Sequence, residues 1–448
     1  MLGRPFTHLF ALLLLTTPLL ACGDDDDRDN QEPSPSVEAP GTLIEGAMER
    51  DLNPNVDEVT FAEFSRGNRD FAFALMDELR KDDEANLFTS PFSVSVALAM
   101  TYGGARGQTK EQIQQTLRYL LDDDDLHRSF NQLDLELASR ASANASGENE
   151  PFTLNVVNRV WSQEGADWEQ DFLDLLGLHY GAGIYEVNFR HNPEPIRQGI
   201  NSWVADQTNQ LITDLLPEGS IHPDVLLVLV NAIYFYGSWR YPFSENGTRD
   251  RPFTHIDGTT TDVPMMRLRE AKSMRVFEST ETIAAALPYV GQGVTLVAMM
   301  PADDDADFLA WERDFSRQDF DDVIDGMQHL QAMIRFPRFE DRAVLDLSDT
   351  LKEMGMPDAF ESADADFTGM LPTVAPLYIH DIFHEAFISI DEEGTEAAAA
   401  TAVIVGTDNS AEEPFVEIEI DFDRPFLYAI YDHPTETILF MGRQVNPS

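Results

Sequence analysis

Apolar residues recur at three- and four-residue spacing in seven stretches. This predicts helices over Phe61–Arg80, Pro91–Tyr102, Lys110–Leu120, Leu126–Ser142, Trp168–Leu178, Pro195–Gln210 and Leu345–Gly355. Between them lie runs that alternate or stay apolar for strand-like lengths: Phe152–Trp161, Val225–Tyr236, Val294–Met300, Met333–Phe339 and Phe387–Ile390. The chain ends in strands over Phe415–Phe422, Phe426–Tyr431 and Thr437–Met441, the last two joined by a turn at Asp432-His433-Pro434. Val225 to Val230 is apolar at every position, as a central strand buried on both faces requires. Interspersed helices and strands, with no repeat of 20 to 50 residues, predict one large α+β domain over residues 56–448. Length alone would favour two or three domains.

The first 55 residues follow another pattern. Arg4 precedes an apolar run, Phe6 to Leu20, too short and too weakly flanked for a spanning helix. It closes on Leu19-Leu20-Ala21-Cys22, small residues before a cysteine, as lipoprotein processing needs. Residues 1–21 are therefore read as a bacterial lipoprotein signal peptide and Cys22 as the lipid attachment site; an ordinary secretory signal is the alternative. The chain is expected to be exported and lipid-anchored to a bacterial cell membrane, on its periplasmic or cell-surface side. Cys22 is the sole cysteine, which leaves no internal disulfide. Residues 22–55, rich in Asp, Glu, Pro, Ser and Gly, are expected to form a disordered acidic tether.

Charge narrows the partners. Eighty acidic residues face 30 Lys and Arg, for a net −50, which repels phosphate backbones and disfavours nucleic acid and anionic glycans. Catalytic patterns are missing: no Gly-x-Ser-x-Gly, no phosphate-binding glycine loop, no His-Glu-x-x-His. The aspartate run from Asp24 lacks the spacing of a calcium loop. His380 and His384 are four apart, but beside a strand-like run with no third ligand near, so a structural use is favoured over a metal site. Neither an enzyme nor a cofactor or metal is expected.

One segment stands out. Asp391-Glu392-Glu393-Gly394-Thr395-Glu396 leads into four alanines, then Thr401-Ala402-Val403-Ile404-Val405. Thr395 could cap an alanine helix. Yet β-branched residues follow at once and strand-like runs flank it. As a strand, alternation sends Thr395, Ala397, Ala399 and Thr401 to one face and Glu396 to the other, so the first face is small throughout. Such a segment can slide into a sheet.

Here the chain resembles the serpins, over nearly all of residues 60–448. Asn86-Leu87-Phe88-Thr89-Ser90-Pro91-Phe92-Ser93 resembles an early signature of that family. Asn231 to Trp239, with Pro242-Phe243, resembles the central one. Glu392–Thr401 is similar to the hinge of inhibitory members, and Arg424-Pro425-Phe426 and Phe440 to Pro447 to the C-terminus.

The resemblance implies a serpin fold, with three β-sheets, surrounding helices and an exposed reactive-centre loop, here about 392–415. It implies suicide inhibition: a target protease, serine type first and cysteine type second, cuts the loop and is trapped as an acyl-enzyme when the loop inserts into the main sheet. It assigns Glu392, Gly394, Thr395, Ala397, Ala399 and Thr401 to the hinge. Ser90, Ser93, Asn231 and His384 fall to the shutter, a polar cluster beneath the sheet, and Trp239 to the breach, where the loop enters. The family's spacing puts the reactive bond at Asp408–Asn409, with Thr407 and Val405 as alternative bait residues. A monomer is expected. The alternative is a non-inhibitory serpin acting as a binding, chaperone or scaffold protein.

Overall fold

The computed structural model describes residues 37–81, 84–143, 152–291, 293–372, 377–395 and 416–447. Cys22, Ala397, Ala399, Thr401, Asp408 and Asn409 lie outside the described residues.

The nine helices among the described residues are α1 (Glu58–Leu79), α2 (Pro91–Tyr102), α3 (Gly107–Thr116), α4 (Asp123–Ala143), α5 (Gln170–Tyr180), α6 (Pro193–Gln207), α7 (Phe308–Asp314), α8 (Arg317–Gly326) and α9 (Ser348–Met354). Local chemistry sets their ends. Asp57 accepts from the Val59 and Thr60 amides and starts α1 three residues before the apolar pattern does. Ser90 caps α2, with Pro91 at its first turn. Gly181, in the left-handed region, ends α5. Periodicity missed α7 and α8, which are short; α8 is marked by a capping box, Ser316 with Asp319.

The first sheet has seven strands: β1 (Thr42–Ile44), β4 (Ile184–Val187), β3 (Thr153–Gln163), β5 (Leu227–Ser238), β14 (Gly394–Thr395), β13 (Ile382–Ile390) and β12 (Phe339–Asp346), in that spatial order. The apolar run expected to be a central strand is β5, buried continuously from Leu227 to Phe235. The second network runs β2 (Leu87–Thr89), β17 (Thr437–Gln444), β16 (Phe426–Asp432), β10 (Val294–Pro301), β9 (Thr282–Pro288), β8 (Lys272–Glu278), β11 (Gln328–Pro337), β7 (Thr260–Arg267) and β6 (Arg249–Thr254), with β15 (Ile418–Asp421) on β11. It has two leaves. Residues 328–332 of β11 pair with β8, and residues 332–337 pair with β15 and β7. The three sheets anticipated are thus one seven-stranded sheet and a ten-stranded network whose two leaves share β11. The largest core packs α2 and β5 against β10, β16 and β17, through Phe92, Leu98, Ile233, Phe235, Leu296, Tyr428 and Phe440.

The tether expectation needs correcting at its C-terminal end. From Pro40 to Asn55 the chain is a strap docked on the domain. β1 pairs antiparallel with β4, and Trp161 Nε1 donates to the Pro40 carbonyl at 2.9 Å. Arg50 reaches Asp134 at 2.6 Å and Asn131 at 2.9 Å. Glycines make room for it: a Cβ on Gly177 would sit 2.5 Å from Met48 O, and one on Gly183 2.4 Å from Ile44 O. A composition argument counts side chains available for burial. It does not count backbone groups that a sheet edge can satisfy.

Candidate functional site

β5 and β13 are parallel neighbours only over their lower part, from Leu229↔Ile382 to Tyr234↔Phe387. Above that, β14 lies between them. Gly394 and Thr395 pair antiparallel with Ser238 and Gly237 of β5, and Thr395 pairs with Ile390 of β13. Two residues therefore already fill the mouth of a seam that is closed below.

The approach is close. A Cβ on Gly394 would lie 2.2 Å from the Gly237 carbonyl oxygen, so only glycine fits. Thr395 is fully buried and its hydroxyl lies 2.6 Å from the Tyr289 hydroxyl. The turn leading in is pinned from both sides. The Asp391 carboxylate accepts from the amides of Glu393 and Gly394, at 2.8 and 3.0 Å. Trp239 Nε1 donates to the Asp391 carbonyl at 2.8 Å, and the Trp239 amide to Glu393 O at 2.7 Å. The indole stacks on Tyr289, ring centres 4.6 Å apart.

Glu392 is buried and takes Arg338 at 2.5 and 2.6 Å and the Thr248 hydroxyl at 2.5 Å. Burial works to raise its pKa. The Thr248 and Arg338 bonds outweigh that and hold the carboxyl below its ordinary value. Trp239, Glu392, Gly394 and Thr395 thus lie together at the mouth of the seam; Tyr289, Thr248 and Arg338 had no sequence signal of their own, because each meets this turn from a distant element.

Under the closed part of the seam lies a buried polar cluster that joins all four expected residues. Asn231 Nδ2 donates to Ser93 O at 2.7 Å, Ser93 Oγ at 2.6 Å and Asn158 Oδ1 at 2.6 Å. His384 Nδ1 lies 2.5 Å from Asn231 Oδ1. The Ser90 amide donates to His384 Nε2 at 3.1 Å, and Ser90 Oγ to Leu439 O at 2.6 Å. An amide N–H aimed at Nε2 makes that nitrogen the acceptor, so the proton is on Nδ1 and the ring is neutral. Burial agrees, pushing the His384 pKa down to about 3. The network ties α2, β3, β5, β13 and β17 together. Asn158 was missed: it looks like any polar residue in an alternating strand, and only its register opposite Asn231 brings it in. His380 and His384 do not act as a pair, since His384 is committed to this cluster.

These features define a molecule with a parallel seam in a large sheet, a buried polar cluster beneath it and a two-residue strand seated at its mouth. The sequence profile of the family Serpin (serine protease inhibitor) matches residues 66–447. An uncharacterised serpin-like protein of Thermococcus kodakarensis is 36% identical over 377 residues, 84% of each chain. Human antithrombin-III is 32% identical, covering 86% of this chain and 82% of its own. The native-state crystal structure of the thermophilic serpin tengpin superposes with a TM-score of 0.76 at 27% identity, over 90% of this chain and 97% of that one. The chain belongs to the serpin family.

Proposed function

We propose that this serpin is a suicide inhibitor of serine-type proteases, with cysteine-type enzymes as the second target class. The observation that carries the reading is the seating of Gly394 and Thr395 between β5 and β13, in the antiparallel register that a longer inserted strand would continue. In this reading the protease hydroxyl attacks the Asp408 carbonyl carbon. The Asp408–Asn409 bond breaks, the proton goes to the departing Asn409 amine, and Asp408 remains as an ester on the enzyme. Loop insertion then distorts the protease before water can cleave that ester. A strand of about twelve residues gains about ten ladder hydrogen bonds at about 1 kcal/mol each. Ordering it costs about 1–2 kcal/mol per residue. Hydrogen bonding therefore does not suffice, and burial of the small hinge face must add to it.

An acidic bait calls for a protease with a cationic primary pocket, because a lone carboxylate is costly to bury. The test is a protease panel including aspartate- and glutamate-selective enzymes, read on a denaturing gel. The expected result is a band at the summed mass and a released fragment starting at Asn409. A fragment starting at Asp408 or Gly406 moves the bait to Thr407 or Val405. Cleavage without any adduct across the panel overturns inhibition in favour of a binding or scaffold serpin. Anchoring through Cys22 belongs to the same proposal; fatty-acid label should enter the wild type and be lost in Cys22→Ser.

A further inference from the structure

Two histidines outside the hinge and shutter face each other at the foot of the seam. His222 lies just before β5 and His380 just before β13. Their Nε2 atoms are 3.1 Å apart, and His380 Nδ1 is held by the Asp381 carboxylate at 2.6 Å. Both rings are half-buried and so open to solvent. We propose that His222 and His380 form a binding site for a divalent transition-metal ion, such as Zn²⁺, that clamps β5 to β13 and must let go when the seam opens.

The geometry fits. Two imidazoles on a tetrahedral zinc, with bonds of about 2.0–2.1 Å, place their nitrogens about 3.4 Å apart. A carboxylate on the far nitrogen of a ligating histidine is the usual orienting contact; with Nδ1–H given to Asp381, His380 Nε2 accepts from His222 Nε2–H, and the ion would replace that bond, releasing its proton. No group of three or more His, Cys, Asp or Glu side chains is arranged to hold a metal ion among the described residues. Water would therefore complete the shell, and affinity would be modest.

The clamp half of this inference rests on the insertion reading. Extending the register Gly394↔Ser238 and Thr395↔Gly237 residue by residue sets Asp408 opposite Asp224, two residues from His222. A strand seated that far must separate β5 and β13 along their whole paired length, down to Leu229↔Ile382. Neighbouring strands are about 4.8 Å apart, so an inserted one would carry the two nitrogens to about 8 Å. One metal ion spans at most about 4.2 Å between nitrogens. An ion that binds only the closed seam must shift the protein toward it.

The intact chain should bind one equivalent of Zn²⁺ by calorimetry, with at least a tenfold loss in His222→Ala and in His380→Ala. Circular dichroism and melting curves check that both variants fold. Equal binding by wild type and variants, or no binding at millimolar Zn²⁺, overturns the site. Chain nicked in the loop should then be compared. Raised thermal stability with lost Zn²⁺ affinity supports the clamp, and raised stability with unchanged affinity overturns it. Unchanged stability with retained, histidine-dependent binding sinks the insertion reading and the clamp with it, yet upholds the metal site.

Discussion

His384 can hold only one protonation state where it sits. Its Nε2 accepts from the Ser90 amide and its Nδ1 faces an amide oxygen, so a second proton, on Nε2, would face an N–H donor. The folded pKa of about 3 lies below the usual 6.5, so the unfolded chain binds the extra proton first. This contribution to stability is whole above pH 6.5 and is lost as pH falls toward 3, by about 1.4 kcal/mol per pH unit. Nitrogen-15 NMR of histidine-labelled protein should show one ring, absent in His384→Gln, that stays a neutral Nδ1–H tautomer at pH 5. Protonation of that ring near pH 6 would refute the network. Thr395 offers a second test at this scale. It is fully buried against Tyr289, so Thr395→Arg would place an unpaired charge where the hinge enters the sheet, at a cost of several kcal/mol. Insertion should lag behind ester hydrolysis, and the adduct band should fall at least tenfold while loop cleavage persists. Wild-type trapping by this variant would show that Thr395 does not face inward in the inserted strand.

Among the elements, the strap allows a prediction whose sign is diagnostic. Gly177 lies inside α5, where alanine would ordinarily add about 1 kcal/mol of helix stability. With the strap docked, the new Cβ would stand 2.5 Å from Met48 O. Gly177→Ala should therefore lower the melting temperature and expose residues 40–55 to limited proteolysis. A raised melting temperature would mean that the strap is not bound in solution. The β15 strand carries a related lesson. Its alternation of Val416, Ile418, Ile420 and Phe422 with Glu417, Glu419 and Asp421 suggests a sheet edge guarded by free acids. Instead Arg335 of β11 takes Glu419 at 3.3 Å and Asp421 at 2.6 Å, and Glu417 accepts from the Gln331 amide at 2.6 Å. These acids fasten β15 to its neighbour. Arg335→Ala should loosen that strand, seen as faster amide exchange over residues 418–421 with other strands unaffected.

For the whole molecule, the proposed insertion would make stability depend on a bond in the loop. If nicking within residues 403–410 lets the cut end extend β14 downward, the sheet gains a central strand and the molecule should melt higher than the intact chain. Thermal melts before and after nicking decide this, and an equal or lower value counts against insertion. Much of this architecture is legible in the order of residues. Seven helices and most central strands follow from apolar spacing, because a face that must be buried imposes its period on the chain. The run of small residues from Thr395 to Thr401 can be read directly as well, and under the proposed insertion its inward face would tolerate only small groups. What periodicity cannot carry is which distant elements meet. Asn158 joins His384 only through the register of β3 on β5, and Glu392 finds Arg338 and Thr248 only because β14 ends between β5 and β13. The strap escapes for a different reason: its binding relies on backbone hydrogen bonds and glycine-lined clearance, neither of which leaves an apolar pattern. Local sequence thus determined most of the elements and the run of small residues after Thr395. The tertiary structure decided the seam, the place of Asn158 in the polar cluster beneath it and the meeting of the histidines at its foot, because those depend on contacts between residues 73 to 158 positions apart.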